Sequence, residues 1–190
     1  MNFKTIHSEN IYQGRAFSVR RDEIELPNGK TAQRDIIDHS GAVTILPLDS
    51  EGRIWFVRQY RHAAGVEILE LPAGMLEDGE PPEMCARREL REEVGMAAGH
   101  LQKIGEFYLA PGYSTEYMHV YLATDLFPSP LPGDEDEFLS VESIPAAQVF
   151  EMAKTGSITD AKTLAALLLV QPFLKNGNSL PDVDETCGLV

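Results

Sequence analysis

Residues Gly74 to Met96 read GMLEDGEPPEMCARRELREEVGM, and the rest of the chain is organised around them. Seven carboxylates (Glu77, Asp78, Glu80, Glu83, Glu89, Glu92, Glu93) and three arginines (Arg87, Arg88, Arg91) fall here between two glycines. Asp78-Gly79 is a turn signal. Pro81-Pro82 suits a first helical turn, because proline presets φ and lacks an N–H that would have no partner there. The spacing predicts a helix from Pro82 to Val94, ended by Gly95. Glu89, Glu92 and Glu93 stand at i, i+3 and i+4 and so share one face. Acids that close repel one another unless positive charge sits among them. The opposite face, with Met84, Cys85, Leu90 and part of Val94, can anchor the helix on a core. A solvated helix with Glu/Arg pairs would account for the acids, but not for both glycines and the loop carboxylate Glu80 as well.

At Gly74, Glu80, Arg88, Glu89, Leu90, Glu92, Glu93, Gly95 and Met96 the stretch resembles the signature of the Nudix hydrolases. That pattern is a glycine, five residues, a glutamate, seven residues, then Arg-Glu-apolar-x-Glu-Glu-x-Gly-apolar, and every fixed position is filled across these 23 residues. The resemblance implies a Nudix-type α/β/α sandwich with a mixed sheet and with this loop and helix at its centre. It implies Mg²⁺, with Mn²⁺ as the alternative, held by Glu89, Glu92 and Glu93 and by the backbone carbonyl of Ala73. Hard cations of this kind prefer oxygen ligands and bridge carboxylates to phosphates. It implies a supporting role for Glu80, and an Arg88 that pairs with a glutamate and fixes the loop against the helix.

Composition bounds the remaining choices. A chain of 190 residues fits one domain or a domain with a small appendage, and buries roughly 70% of its unfolded surface. The net charge of −14 opposes a nucleic-acid surface, which needs a basic face. It also repels phosphate-bearing substrates until local cations offset the field. The longest apolar run, Leu164 to Val170, is too short to span a bilayer, and no apolar leader precedes a cleavage site. The expectation is a cytoplasmic protein with no membrane partner. Cys85 and Cys187 are too few and too far apart for a disulfide framework.

Working outward, residues 1–39 read as an N-terminal antiparallel β segment with a hairpin at Asn28-Gly29. Residues 40–175 read as the main domain, and 176–190 as a frayed tail. Ala42 to Leu48 and Arg53 to Arg61 are strands around the turn Asp49 to Gly52, and Ile68 to Pro72 leads into the quoted loop. Strands follow at Leu101 to Leu109 and Tyr117 to Ala123. The proline-rich acidic segment Phe127 to Glu137 comes next, its acids Asp134 to Glu137 read as solvated. Phe138 to Ile144 is a last strand and Pro145 to Lys154 a helix. Thr159 or Asp160 caps another helix running to Leu174.

Cleaving a diphosphate requires neutralising its charge, placing a water in line and stabilising the leaving phosphate. The signature glutamates suit the first and last tasks, with Glu92 and Glu93 as catalytic candidates beside Arg88. Glu116, on a loop between strands, is either the base for the water or an exposed loop acid. Gln59-Tyr60-Arg61, Glu70 to Gly74, Pro111 sixteen residues after Gly95, and PGYSTE resemble the ADP-ribose and nucleoside-diphosphate-sugar branch. Arg34 to Val43 and a helix containing Gly156, Ile158, Asp160, Lys162 and Thr163 resemble it too. That branch implies hydrolysis of ADP-ribose to AMP and ribose 5-phosphate by a homodimer whose N-terminal sheet reaches the other subunit's site. Alternatives are a GDP-mannose or UDP-sugar hydrolase, or a nucleotide sensor without catalysis, against which the intact glutamates argue. Arg61 is the first choice for a phosphate contact, because guanidinium forks match phosphate oxygens; Arg58 and Arg34 follow. Tyr12, Phe17, Tyr60 and Tyr113 are the candidates to hold the base, and Trp55 reads as core. The five histidines show no metal-ligand spacing.

Overall fold

A computed structural model describes residues 2–133 and 137–175. The tail 176–190, with Cys187, and the acids Asp134 to Asp136 lie outside the described residues. The chain starts with β1 (Lys4–Gln13), β2 (Ser18–Glu25) and β3 (Thr31–Asp38), an antiparallel three-stranded sheet. Then come β4 (Ala42–Pro47), β5 (Arg53–Arg61), β6 (Val66–Glu70) and β7 (Ala73–Met75), followed by helix α1 (Pro82–Glu93). Strands β8 (Met96–Tyr108), β9 (Tyr117–Pro128) and β10 (Leu139–Pro145) precede helices α2 (Ala146–Lys154) and α3 (Ala161–Lys175).

One mixed sheet has the order β7-β4-β9-β8, with β4 and β9 parallel, and a second, antiparallel sheet has the order β10-β5-β6. Period-two alternation assigns each core strand to two layers. From β4, Val43 and Ile45 join Cys85, Ala86 and Leu90 of α1, while Leu46 joins Ala166, Leu167 and Val170 of α3. From β9, Tyr121 and Ala123 face α1, and Met118, Val120 and Leu122 face α3. A strand covered by helices on both faces must be apolar throughout, which is why AVTILP is buried at every position. The result is an α/β/α sandwich whose strands divide between two sheets.

Several boundaries differ from the sequence reading. Strand β8 begins at Met96, directly after Gly95, because Ala97 and Ala98 pair with Phe127 and Leu126 of an equally extended β9. Small residues with weak strand propensity are held there by tertiary pairing. No helix contains Gly156 or Ile158, since α3 starts at Ala161. Its cap is Asp160, whose Oδ2 accepts from the Thr163 N–H at 3.0 Å and the Thr163 hydroxyl at 2.6 Å. Thr163, fully buried, in turn accepts from the Leu71 N–H at 2.9 Å, which ties α3 to the end of β6. Thr163→Val would leave that amide without a partner and is expected to lower stability by about 1–3 kcal/mol. A lower denaturant midpoint at unchanged m-value checks it. Trp55 is only half-buried, and its Nε1 donates to Asp49 Oδ2 at 2.9 Å.

Candidate active site

Helix α1 presents its acids to a cavity of about 900 Å³ bounded by Ala73, Gly74, Glu89, Glu92, Arg61, Glu70 and Glu116, among others. The helix stops where required because Gly95 takes φ +75°, which costs a residue without Cβ least. Cys85, Leu90 and Val94 are buried and hold it to the sheet, whereas Met84 is exposed.

Arg88 is the hub of the site. Its Nε and Nη2 bind both oxygens of Glu80 at 3.0 and 2.9 Å, and its Nη1 donates to Glu89 at 2.6 Å and Glu92 at 2.9 Å. Nη2 also lies 3.3 Å from the Met75 carbonyl oxygen. One guanidinium thus fastens the loop to the helix, as the signature resemblance implies, and holds Glu80 down at about 2. Glu93 turns the other way and accepts the Ala73 N–H at 2.9 Å. Among the described residues no three acidic, histidine or cysteine side chains already converge at metal-ligating distance. Glu89 and Glu92 share the Arg88 guanidinium, whereas Glu93 is bound to the Ala73 amide.

The chemistry of this donor set nevertheless fits a hard divalent cation. Glu89 and Glu93 are 9% and 8% exposed, and burial pushes their carboxyls up to about 7 and about 8. Arg88 opposes the shift at Glu89 and the Ala73 N–H opposes it at Glu93; neither prevails. Glu137, at the cavity wall, adds repulsion to both and was read from sequence only as a solvated acid. Buried oxygens with more negative charge than their partners offset are suited to a divalent ion. The close approach at Gly74 completes the cradle: a Cβ there would stand 1.8 Å from Glu89 Oε1.

These shifts fix a pH dependence. Between the ordinary carboxyl value near 4.5 and about 8, the folded protein binds more protons than the unfolded chain. The stability contributed by Glu89 and Glu93 is full below that range and is lost as pH rises through it. A divalent cation takes the ionised form, so saturating Mg²⁺ is expected to raise the melting temperature more at about pH 8.5 than at about pH 6, releasing protons. Equal increments at both pH values would contradict this.

The other expected residues divide between inside and outside. Arg61 lines the cavity and grips Glu70 with Nε and Nη2, both at 2.7 Å. Arg58, three residues earlier, points to the other face of β5 and pairs with Glu142 at 2.7 Å. Strand alternation makes that unavoidable, so within one chain Arg58 does not reach the cavity. Arg34 on β3 is exposed, donates to the Gln33 carbonyl at 2.8 Å and does not line the cavity. Glu116 does line the cavity, but on a loop that is stitched down. Ile37 N–H donates to the Tyr113 carbonyl at 2.8 Å, Thr115 N–H to the Ile37 carbonyl at 3.0 Å, and His39 N–H to Thr115 Oγ1 at 2.9 Å. The PGYSTE loop is thus attached to β3 of the N-terminal sheet and to His39 just after it. Tyr12, Tyr60 and Tyr113 are exposed outside the cavity; Phe17 borders a smaller adjoining hollow of about 300 Å³. Glu70, buried at 2% exposure between Arg61 and Lys162, is the site residue that sequence reasoning missed as chemistry. The available signals were an acid ending an apolar run and its place in the stretch Glu70 to Gly74 that resembles the branch.

The family model described as a NUDIX domain matches residues 38–167, from the end of β3 through the signature into the first half of α3. The chain belongs to the Nudix family. A second model, the nucleoside diphosphate sugar hydrolase N-terminal domain, matches residues 3–37. This Nudix chain is 41% identical over 170 residues to an ADP-ribose pyrophosphatase of Bacillus subtilis (strain 168), covering 88% of this chain and 92% of the relative. It is 40% identical over 172 residues to an ADP-ribose pyrophosphatase of Mycobacterium tuberculosis (strain ATCC 25618 / H37Rv), covering 89% and 83%. A crystal structure of an ADP compounds hydrolase superposes with a TM-score of 0.83 at 27% identity, covering 95% of this chain and 98% of that one. Nudix hydrolases generally need a divalent metal, in keeping with the donor set described above. No helix among the described residues is long and apolar enough to cross a membrane.

Proposed function

We propose that this Nudix protein hydrolyses ADP-ribose to AMP and ribose 5-phosphate, water adding to one phosphorus as the bridging P–O bond breaks. The observation that carries this reading is that one cavity is lined both by the acids Glu89 and Glu92 of α1 and by the Arg61 guanidinium, with the buried Glu93 next to Glu92 in sequence. The acids suit a divalent cation and the guanidinium a phosphate. Glu89, Glu92, Glu93 and the Ala73 carbonyl would hold Mg²⁺ or Mn²⁺, which supplies charge neutralisation on the diphosphate oxygens. Arg88 keeps the acids in place, Arg61 binds a phosphate, and Glu116, in the same cavity lining, takes the proton of the water. That the two relatives are ADP-ribose pyrophosphatases supports the choice of ADP-ribose.

We assign residues 1–39 to dimerisation and substrate contact, 40–175 to the hydrolase domain and 176–190 to a tail. Every residue of β1 is exposed, and Phe3, Ile6, Ile11 and Tyr12 add apolar surface that a second subunit would cover. In such a homodimer Arg34 is offered to the partner's site. The protein works in the cytoplasm, on a nucleoside diphosphate and not on nucleic acid or a membrane. The deciding experiment offers ADP-ribose, GDP-mannose and UDP-glucose with Mg²⁺ or Mn²⁺ and measures released monophosphate. ADP-ribose is expected to give the highest kcat/KM; a wide margin for GDP-mannose would reassign the substrate.

A further inference from the structure

We propose that Lys162, Glu70 and Asp160 form a positioning relay that holds the Arg61 guanidinium against the diphosphate, an inference that rests on the assignment of Arg61 as a phosphate ligand. Glu70 ends β6 opposite Val57 of β5, and both its oxygens accept from Arg61, the last residue of β5, at 2.7 Å. The Lys162 ammonium contacts the same carboxylate on Oε2 and donates to Asp160 Oδ1 at 3.0 Å. Asp160 spends its other oxygen on the first turn of α3, through the Thr163 N–H and hydroxyl. All four charged residues border the cavity, yet Arg61 is the exposed end of the chain, its side chain 40% accessible against 3% for Glu70 and 10% for Lys162.

The charges explain why a second cation is needed. An arginine locked to a lone buried carboxylate is a neutral pair and attracts a diphosphate weakly. Lys162 shares the Glu70 charge, while the Asp160 charge is partly offset by the α3 N-terminus it caps. The guanidinium therefore keeps a positive balance, and the bidentate grip through Nε and Nη2 turns Nη1, which has no hydrogen-bond partner among the described residues, away from Glu70. Fixing the fork in advance lowers the ordering cost of binding. None of the three relay residues needs to touch the reacting atoms.

Steady-state kinetics with ADP-ribose separate this role from a purely structural one. Lys162→Met keeps side-chain length and removes the charge; it is expected to raise KM about tenfold while kcat stays within about twofold. Lys162→Arg should restore most of the affinity. In an Arg61→Ala background Lys162→Met should change KM by less than about twofold, although it lowers the melting temperature in both backgrounds. An equal rise of KM in the two backgrounds, or a loss confined to kcat, overturns the relay while leaving the substrate assignment standing. If the wild-type protein cleaves none of the nucleoside diphosphates, the substrate assignment fails instead. The relay is then read from calorimetric binding of inorganic pyrophosphate, expected to weaken with Lys162→Met only where Arg61 is present. Equal effects in both backgrounds, or no pyrophosphate binding to the wild-type protein, overturn it.

Discussion

Glu93→Gln is expected to lower kcat for ADP-ribose hydrolysis by about three orders of magnitude, the several kcal/mol that charge stabilisation at a metal site supplies. The substitution is isosteric, and the amide oxygen can still accept the Ala73 N–H that Glu93 now accepts at 2.9 Å. What disappears is the negative charge available to a cation. The fold should not suffer, and the direction is informative. Burial pushes the Glu93 carboxyl up to about 8, so the ionised group is a burden on the metal-free protein in alkaline solution. The metal-free variant is therefore expected to melt at an equal or higher temperature than wild type above about pH 8. Glu92→Gln should also cost orders of magnitude in turnover, since Glu92 shares Arg88 with Glu89. Full activity in both variants would remove the metal-site assignment, and a large drop in melting temperature for Glu93→Gln would show that its role is structural.

Gly74→Ala is the second large effect, and its cause is steric. The added Cβ would lie 1.8 Å from Glu89 Oε1 and 1.9 Å from its Cδ. Because those atoms are the far end of a flexible side chain, the backbone can stay and the carboxylate must move. A displaced Glu89 loses its 2.6 Å contact with Arg88 Nη1 and leaves the position from which it would meet a cation. Turnover is expected to fall about 100-fold or more, the scale at which misplacing a catalytic group by an ångström acts. The cost in stability should stay near 1 kcal/mol. Activity measured over a Mg²⁺ titration, beside a thermal melt, checks this: the half-saturating Mg²⁺ concentration should rise with little change in melting temperature. Wild-type activity at wild-type Mg²⁺ concentrations would mean that Glu89 does not work from its present place.

Much of this was legible in the chain itself. Helix α1 follows from Pro82, the three-and-four spacing of its apolar residues and Gly95, all local effects. The strands β4 and β5 follow from apolar runs between turn residues, and the site's acids follow from their spacing on one helical face. The boundaries that failed were set by distant partners. Strand β8 starts five residues early because Met96 to Ala98 find Pro128 to Leu126 across the sheet.

The seven-carboxylate stretch by itself determined that one face of a helix carries acids able to serve a cation, because helical periodicity is written into residue spacing. Only the tertiary structure decided how those acids are held. Arg88 binds Glu89 and Glu92 together, and the amide that Glu93 accepts comes from a strand twenty residues earlier. Tertiary structure also separated Arg61 from Arg58 and placed Glu70 between Arg61 and Lys162, residues ninety-two positions apart in the second pair. Period two says that two arginines three apart on a strand face opposite ways, but which way is inward depends on what packs there. A buried ion network has no periodicity in the sequence; it exists because α3 docks its capped N-terminus against the end of β6.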